Sequence, residues 1–166
     1  SALLFTASDL RLHELLVNVE VFRFDPLGAK EPDGSSADTT SLHPNGHNVA
    51  TMLATLERDD EFRTQVMEWM NLLVPGLEQV RAEPERLSGG TVIKFKEEGT
   101  RAHFPAHLIS DGTIYALCIM TAVLSRAKKT GITLIEAPER GLHPKAIEAL
   151  VDLMRQSAGV EHPVLV

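Results

Sequence analysis

The sequence predicts an α/β fold: parallel core strands joined by helices, with a helical segment and a small antiparallel β element. Residues 132–135 are a short apolar run rich in β-branched side chains between a glycine and a proline, which is typical of a buried parallel strand. Residues 114–124 are apolar almost all round, as in a helix buried on most faces. Pro144 begins another helix that leads to an apolar run at 163–166. Because such connections are almost always right-handed crossovers, we expect the two strands to be parallel neighbours.

The amino-terminal part predicts a helix, a strand and a loop. Ser8 or Asp9 can cap a helix that continues through Val17. Residues 20–24 alternate as a short strand does, and an Asp-Pro pair follows them. Residues 27–43 are rich in Gly, Pro, Ser, Thr and Asp, with almost no apolar side chain. This composition predicts a long exposed loop, ordered or disordered.

Residues 45–75 predict a helical segment. After the Asn45-Gly46 turn, apolar residues recur at helical spacing, and a second helix begins near Asp60 and stops at Pro75-Gly76. The methionine and aromatic side chains on one face of this helix could line a cofactor site, but we interpret them as core.

Residues 77–105 predict an antiparallel β element. Three short strands at 77–82, 92–96 and 102–104 are separated by glycine-containing turns.

Length and composition predict one domain, residues 1–166, with an ordinary apolar content of 43%. The longest apolar run, 115–124, is too short to span a bilayer. The single cysteine, Cys118, excludes a disulfide framework and fits a reducing, cytoplasmic location. A net charge of −7 with scattered Lys and Arg argues against a nucleic-acid groove in this part of the protein. The histidines are too irregularly spaced to predict a zinc site.

Two carboxylates follow the predicted strand at 132–135. Glu136 and Glu139 lie where the carboxyl ends of strands form ligand sites in open α/β sheets. Mg²⁺ is commonly held by one or two carboxylates together with substrate phosphates, so Glu136 is a candidate metal ligand. Alternatively these are solvated acids, one of which favours the next helix N-terminus.

A second candidate site comes directly before the predicted buried helix. Ser110, Asp111, Gly112 and Thr113 form a turn that presents backbone N–H groups, a hydroxyl and the positive end of the helix dipole. Together these features predict an anion site. The simpler interpretation is that Ser110 or Asp111 only caps the helix.

These two motifs carry a family resemblance. LISDGTIYAL followed by GITLIEAPERGLHP resembles the second half of ATP-binding-cassette-type ATPases of the RecF, SMC and OLD-like group, in particular bacterial predicted AAA-type ATPases. HPNGHNVATMLATL and LLVPGLEQV also resemble the family's helical segment, so the resemblance covers most of the chain. It implies the carboxyl-terminal part of a P-loop NTPase fold. The letters LSGG at 87–90 also spell a cassette signature, but the β pattern after them indicates a hairpin turn.

The resemblance assigns residues 109–113 to the signature motif. Ser110 and Gly112 would reach the γ-phosphate of ATP held by a second subunit, and Asp111 and Thr113 are nucleotide-binding candidates in the same turn.

The resemblance also assigns the turn after the strand. Glu136 would be the Walker B carboxylate near Mg²⁺, and residues 141–143 would be the D-loop that crosses to the partner. Glu139 and His143 are further candidate catalytic residues. Ala137 stands where the family usually has the catalytic glutamate, which puts ordinary hydrolysis by this half-site in doubt.

No G-x-x-x-x-G-K-[ST] pattern occurs in the sequence, and none of its seven histidines follows the last strand, where the family has a switch histidine. The resemblance therefore implies half of a longer ATPase, inactive alone. Its expected cofactors are ATP and Mg²⁺. Its expected partners are the P-loop half of its own chain, a second copy on ATP binding, and DNA or a nuclease through other regions, but no membrane.

Three functions remain open from the sequence. The first is an ATPase that hydrolyses ATP at a head–head dimer interface in DNA repair, recombination or phage defence. The second is a nucleotide-responsive interaction module that has lost hydrolysis. The third is an unrelated small α/β binding domain in which both motifs are coincidence.

Overall fold

The computed structural model describes residues 7–34, 41–87 and 89–166. The helices are α1 (Ala7–Val17), α2 (Pro26–Lys30), α3 (Val49–Leu56), α4 (Asp60–Leu73), α5 (Asp111–Arg126) and α6 (Pro144–Ser157), with a 3-10 turn at Ala106–Leu108. The strands are β1 (Val19–Phe22), β2 (Leu77–Pro84), β3 (Thr91–Glu97), β4 (Phe104–Pro105), β5 (Ile132–Ile135) and β6 (Val164–Leu165). The predicted α/β fold class is confirmed.

Three strands form a parallel sheet in the order β1-β5-β6. β5 pairs with β6 in parallel, with Thr133 opposite Val164, and α6 connects the two strands. The predicted parallel pair is therefore confirmed. β1 pairs with the other edge of β5, with Val19 opposite Ile132. That pairing was not predicted, because a short strand pattern does not indicate its neighbour.

The strands β2, β3 and β4 form a separate antiparallel sheet in that order, as predicted for residues 77–105. Pro84 pairs with Thr91, so residues 85–90 connect β2 to β3. The LSGG letters therefore lie in a strand connection and not before a helix, although Ser88 itself lies outside the described residues.

Helix α5 lies at the centre of the hydrophobic core. Every residue from Ile114 to Val123 is buried, and the helix packs against α2, α3, α4, α6 and β5. The α4 residues Phe62, Val66 and Met70 are buried in the same core, as expected for a packing face. No helix in the described part of the chain has the length and apolarity needed to cross a membrane.

The prediction of an exposed loop over residues 27–43 is partly wrong. Asp25 caps the short helix α2 by accepting a hydrogen bond from the Leu27 N–H at 3.1 Å, and a proline supplies the first helical position. Ala29 and Leu42 are buried in the core. One helix cap and two buried apolar side chains are enough to position this segment. Its composition is otherwise polar, so the sequence did not reveal these few contacts.

Two predictions fall partly outside the described residues. Residues 35–40 of the predicted loop are not described. Ser8 and Asp9 were the predicted helix caps, but α1 already begins at Ala7, so both belong to the helix backbone. Their side chains lie outside the described part of the structure.

Candidate functional site

The two candidate turns predicted from the sequence touch each other. We refer to residues 110–113 as the anion turn and to residues 136–143 as the acidic turn. A Cβ added at Gly112 would lie 2.2 Å from the carbonyl oxygen of Gly141. Gly141 itself has a φ of +72°, which favours glycine. Gly112 is therefore needed for the turns to meet, and a small depression of about 180 Å³ lies beside both glycines.

The anion turn begins α5. Ser110 is the N-cap residue: its Oγ accepts a hydrogen bond from the Thr113 N–H at 3.2 Å and lies 2.8 Å from Thr113 Oγ1. Ser110 therefore caps the helix, as the simpler interpretation predicted. Capping does not exclude anion binding, because a cap satisfies only part of the N–H groups that the first turn of a helix leaves without an intrahelical partner.

Asp111 forms an ion pair with Lys30 of α2. The Lys30 side chain is only 11% exposed, whereas Asp111 is 60% exposed. The pair ties α2 to the beginning of α5 and places a cation beside the anion turn. Lys30 was missed in the sequence because it belongs to the segment predicted to be a loop.

Glu136 lies at the carboxyl end of β5, where it was predicted. Its N–H donates to the Phe22 carbonyl at 3.0 Å, and its carboxylate forms an ion pair with Arg23. Arg23 directly follows β1, so the pairing of β1 with β5 brings the two charges together. Arg23 was missed because its partner, Glu136, is defined only by that strand pairing. The one signal in the sequence that could have marked Arg23 as a site residue is its position as a basic residue directly after a strand.

Tyr115 joins α5 to the acidic turn. Its hydroxyl donates to the carbonyl oxygens of Glu136 at 2.8 Å and of Ala137 at 2.9 Å. Burial raises the pKa of the Tyr115 hydroxyl, which keeps it a proton donor. The sequence pattern places Tyr115 only in an apolar helix, because the partners of its hydroxyl are backbone atoms of a distant turn.

Glu139 and His143 lie in the same turn as Glu136, and both are exposed. The Glu139 carbonyl accepts a hydrogen bond from the Leu142 N–H at 3.1 Å. His143 is the N-cap of α6, and its Nδ1 accepts from the Lys145 N–H at 3.3 Å. His143 also lines the depression between the two turns, so a helix-capping residue borders the anion turn.

The donor atoms of this site fit Mg²⁺ and phosphate. Glu136 offers an exposed carboxylate, and Mg²⁺ usually takes only one or two carboxylates together with phosphate and water oxygens. Within the described ranges, no group of three His, Cys, Asp or Glu residues could hold a metal ion by itself. The anion turn suits one terminal phosphate, but the sequence contains no P-loop for the other phosphates.

Other reactive side chains do not form a competing site. Cys118 is fully buried, and burial raises its pKa to about 12, which excludes a thiolate nucleophile at neutral pH. The rings of His43 and His47 lie 4.3 Å apart. Within the residues that the structure describes, however, no third His, Cys, Asp or Glu joins this pair to form a metal site.

A larger cavity, of about 830 Å³, lies between α2 and the antiparallel sheet, and Lys30, the ion-pair partner of Asp111, is among the residues that line it. Charges of both signs line it, and its lysines already have carboxylate partners: Lys94 pairs with Glu83, and Lys30 pairs with Asp111. Neither lysine is therefore available as a free cation for an anionic ligand.

The chain matches a protein family and is similar to a solved structure. The family model described as "AAA domain, putative AbiEii toxin, Type IV TA system" matches residues 18–160. The chain is similar to the Smc head domain with a coiled coil and joint from Pyrococcus yayanosii, at 18% sequence identity and a TM-score of 0.49. The likeness covers 64% of this chain and 21% of that one, so our chain spans about a fifth of that structure's length. No protein of curated function matches the sequence.

The family match extends over most of the chain and includes both candidate turns. It therefore contradicts the third possibility raised from the sequence, an unrelated α/β binding domain with coincidental motifs. The chain belongs to this AAA-domain family of ATPases.

Proposed function

We propose that the chain is the signature, Walker B and D-loop half of an ATPase that binds and hydrolyses ATP between two head domains, in DNA repair, recombination or phage defence. The contact between the anion turn and the acidic turn carries this proposal. A helix start suited to phosphate lies against a turn whose carboxylate is suited to Mg²⁺, and phosphoryl transfer depends on positioning these two groups. Membership in an ATPase family supports ATP as the ligand.

Glu136 is the proposed Mg²⁺ ligand, acting with phosphates held by the P-loop half of the same protein. Bound Mg²⁺ would neutralise charge on the phosphate oxygens. Arg23 would have to release Glu136, and its side chain is 75% exposed and therefore free to move. Because Ala137 cannot accept a proton, Glu139 and His143 are the remaining candidates in this turn for orienting the attacking water.

The anion turn is proposed to close the ATP site of a partner head. The N–H groups around Gly112 and the dipole of α5 would face the γ-phosphate, with the Ser110 and Thr113 hydroxyls beside them. Asp111 would repel phosphate, but its ion pair with Lys30 offsets that charge. Residues 141–143 would cross to the same partner.

An exposed apolar face of the parallel sheet supports the interpretation as half of a longer protein. Val21, Leu134 and Leu165 are opposite one another in register and so share one face. Val21 is 46% exposed and Leu165 is 50% exposed. Parallel sheets are normally covered on both faces, so we infer that the P-loop half packs here.

Sedimentation of the full-length protein with ATP and Mg²⁺ tests the proposal. Ser110→Arg should leave ATP binding by the monomer nearly intact but abolish ATP-dependent dimerisation, because a long side chain would fill the depression beside Gly112. Thr64→Arg adds the same charge on an exposed position of α4 and should dimerise like wild type. If the Ser110→Arg protein dimerises as well as wild type, the signature assignment is wrong.

Ala137 favours a second function, a nucleotide-responsive interaction module that binds ATP without hydrolysing it. Single-turnover hydrolysis by the full-length protein, compared with its Ala137→Glu variant, separates the two functions. Hydrolysis by wild type supports the ATPase, whereas hydrolysis only by Ala137→Glu supports the module. Ala137→Gln is the matched control, because it adds a similar volume without a proton acceptor.

A further inference from the structure

We propose that Tyr115 is a positioning residue that holds the acidic turn against α5 and so couples the position of Glu136 to the anion turn. The inference rests on the proposed function of these two turns. Its basis is one buried hydroxyl, on a side chain that is 1% exposed, which donates to two successive backbone carbonyls, Glu136 at 2.8 Å and Ala137 at 2.9 Å.

The backbone at Ala137 needs such a support. Ala137 has a φ of 51°, and across the described ranges it is the only residue other than glycine with a positive φ. The Cβ of any residue other than glycine disfavours this left-handed conformation. A residue with a Cβ keeps the conformation only when the surrounding structure holds it there. The Tyr115 hydroxyl binds the carbonyl of Ala137 itself, so it holds the strained residue directly.

Helix α5 holds the acidic turn at two points. Tyr115 binds the beginning of the turn at Glu136 and Ala137, and Gly112, one helical turn earlier, packs directly on the Gly141 carbonyl. The Tyr115 ring is itself held by an edge-to-face contact with Phe24, at 5.9 Å between ring centroids. Displacement of the start of α5 by a bound phosphate would therefore move the acidic turn, because both contacts belong to one rigid helix.

Hydrogen exchange of the full-length protein tests the coupling through Tyr115→Phe, which removes one oxygen atom and keeps the ring. The amides of Arg140 and Leu142, which bond within the acidic turn, should exchange about twofold to tenfold faster, as expected for the loss of one neutral hydrogen bond. Thr121→Val is the matched control: it removes another buried hydroxyl of α5, one that bonds within the helix to Leu117. Unchanged exchange in Tyr115→Phe would overturn the proposal.

A rescue variant tests whether the Tyr115 hydroxyl acts through the strained backbone at Ala137. Ala137→Gly added to Tyr115→Phe should restore slow exchange at Arg140 and Leu142 at least in part, because glycine adopts a positive φ without strain. Failure of the rescue would show that the hydroxyl does not act by holding the positive φ of Ala137, and would contradict the positioning role. In ATP turnover, Tyr115→Phe should lower kcat with little change in KM. If no variant binds ATP but exchange responds as described, the proposed ATPase function fails while the positioning role stands.

Discussion

At the scale of single residues, Gly112 decides whether the two turns can meet. Gly112→Ala should lower the free energy of unfolding by about 1–3 kcal/mol, the usual range for an overpacked site. The added Cβ would lie 2.2 Å from the Gly141 carbonyl oxygen, a backbone atom that cannot rotate away. Alanine is the better helix former by up to about 1 kcal/mol, but this gain is smaller than the expected clash. Urea unfolding measures the difference.

Gly159→Ala is the matched control for this change. A Cβ at Gly159 would have no neighbouring atom within 4 Å, so its effect should stay within about 0.5 kcal/mol. Equal stability of the Gly112 and Gly159 variants would contradict the close approach of the two turns.

The local positions of two candidate site residues could be predicted from the sequence. Ser110 and Glu136 were predicted correctly as a helix start and a strand end, because each position follows from its immediate neighbours in the chain. The partners of the site were not predictable in this way. Arg23 and Tyr115 reach the acidic turn only through strand pairing and helix packing, which bring together residues far apart in sequence.

At the scale of elements, a buried polar network lies at the carboxyl end of α5, the end opposite the anion turn. It joins α5 to β1 and to the start of β5. Arg126 Nε donates to Thr133 Oγ1 at 2.9 Å, and Arg126 Nη2 donates to the Asn18 carbonyl at 2.8 Å. Thr133 Oγ1 also lies 2.8 Å from His162 Nε2, just before β6. Thr133 can accept from Arg126 and donate to His162, an arrangement that needs a neutral imidazole ring.

This network should make the stability of the protein depend on pH. Burial first, and then the charge of Arg126, lowers the pKa of His162 in the folded chain below its ordinary value of 6.5. As the pH falls below about 6.5, the unfolded chain binds a proton that the folded chain resists, so the free energy of unfolding decreases until the pH passes the folded pKa. Above this window the contribution is constant. Urea unfolding at about pH 7.5 and about pH 5.5 measures the decrease.

His162→Gln should reduce this pH dependence, because it removes the titrating group. His13→Gln on α1 is the control, because it removes an exposed histidine in place of a buried one. If the two variants show the same pH dependence as wild type, His162 is not the group responsible.

At the scale of the whole molecule, the proposed function requires that the described parts supply only one side of a nucleotide site. Residues 1–166 alone should not bind ATP tightly or hydrolyse it, because the sequence contains neither a P-loop nor the switch histidine of the family. Calorimetry with ATP and Mg²⁺ measures this directly, and the full-length protein is the positive control. A Kd on the order of 1 μM for residues 1–166 would contradict the prediction.

The elements and their types followed from the sequence alone wherever the signal was local or periodic. The apolar run of β5, the all-round apolar helix α5, the three antiparallel strands and the proline that begins α6 each depend on residues a few positions apart. The tertiary structure alone decided that β1 lies beside β5, that Tyr115 holds Ala137, and that Gly112 touches Gly141. Contacts between distant parts of a chain depend on how whole elements pack, and packing leaves no periodic pattern in the sequence around either partner.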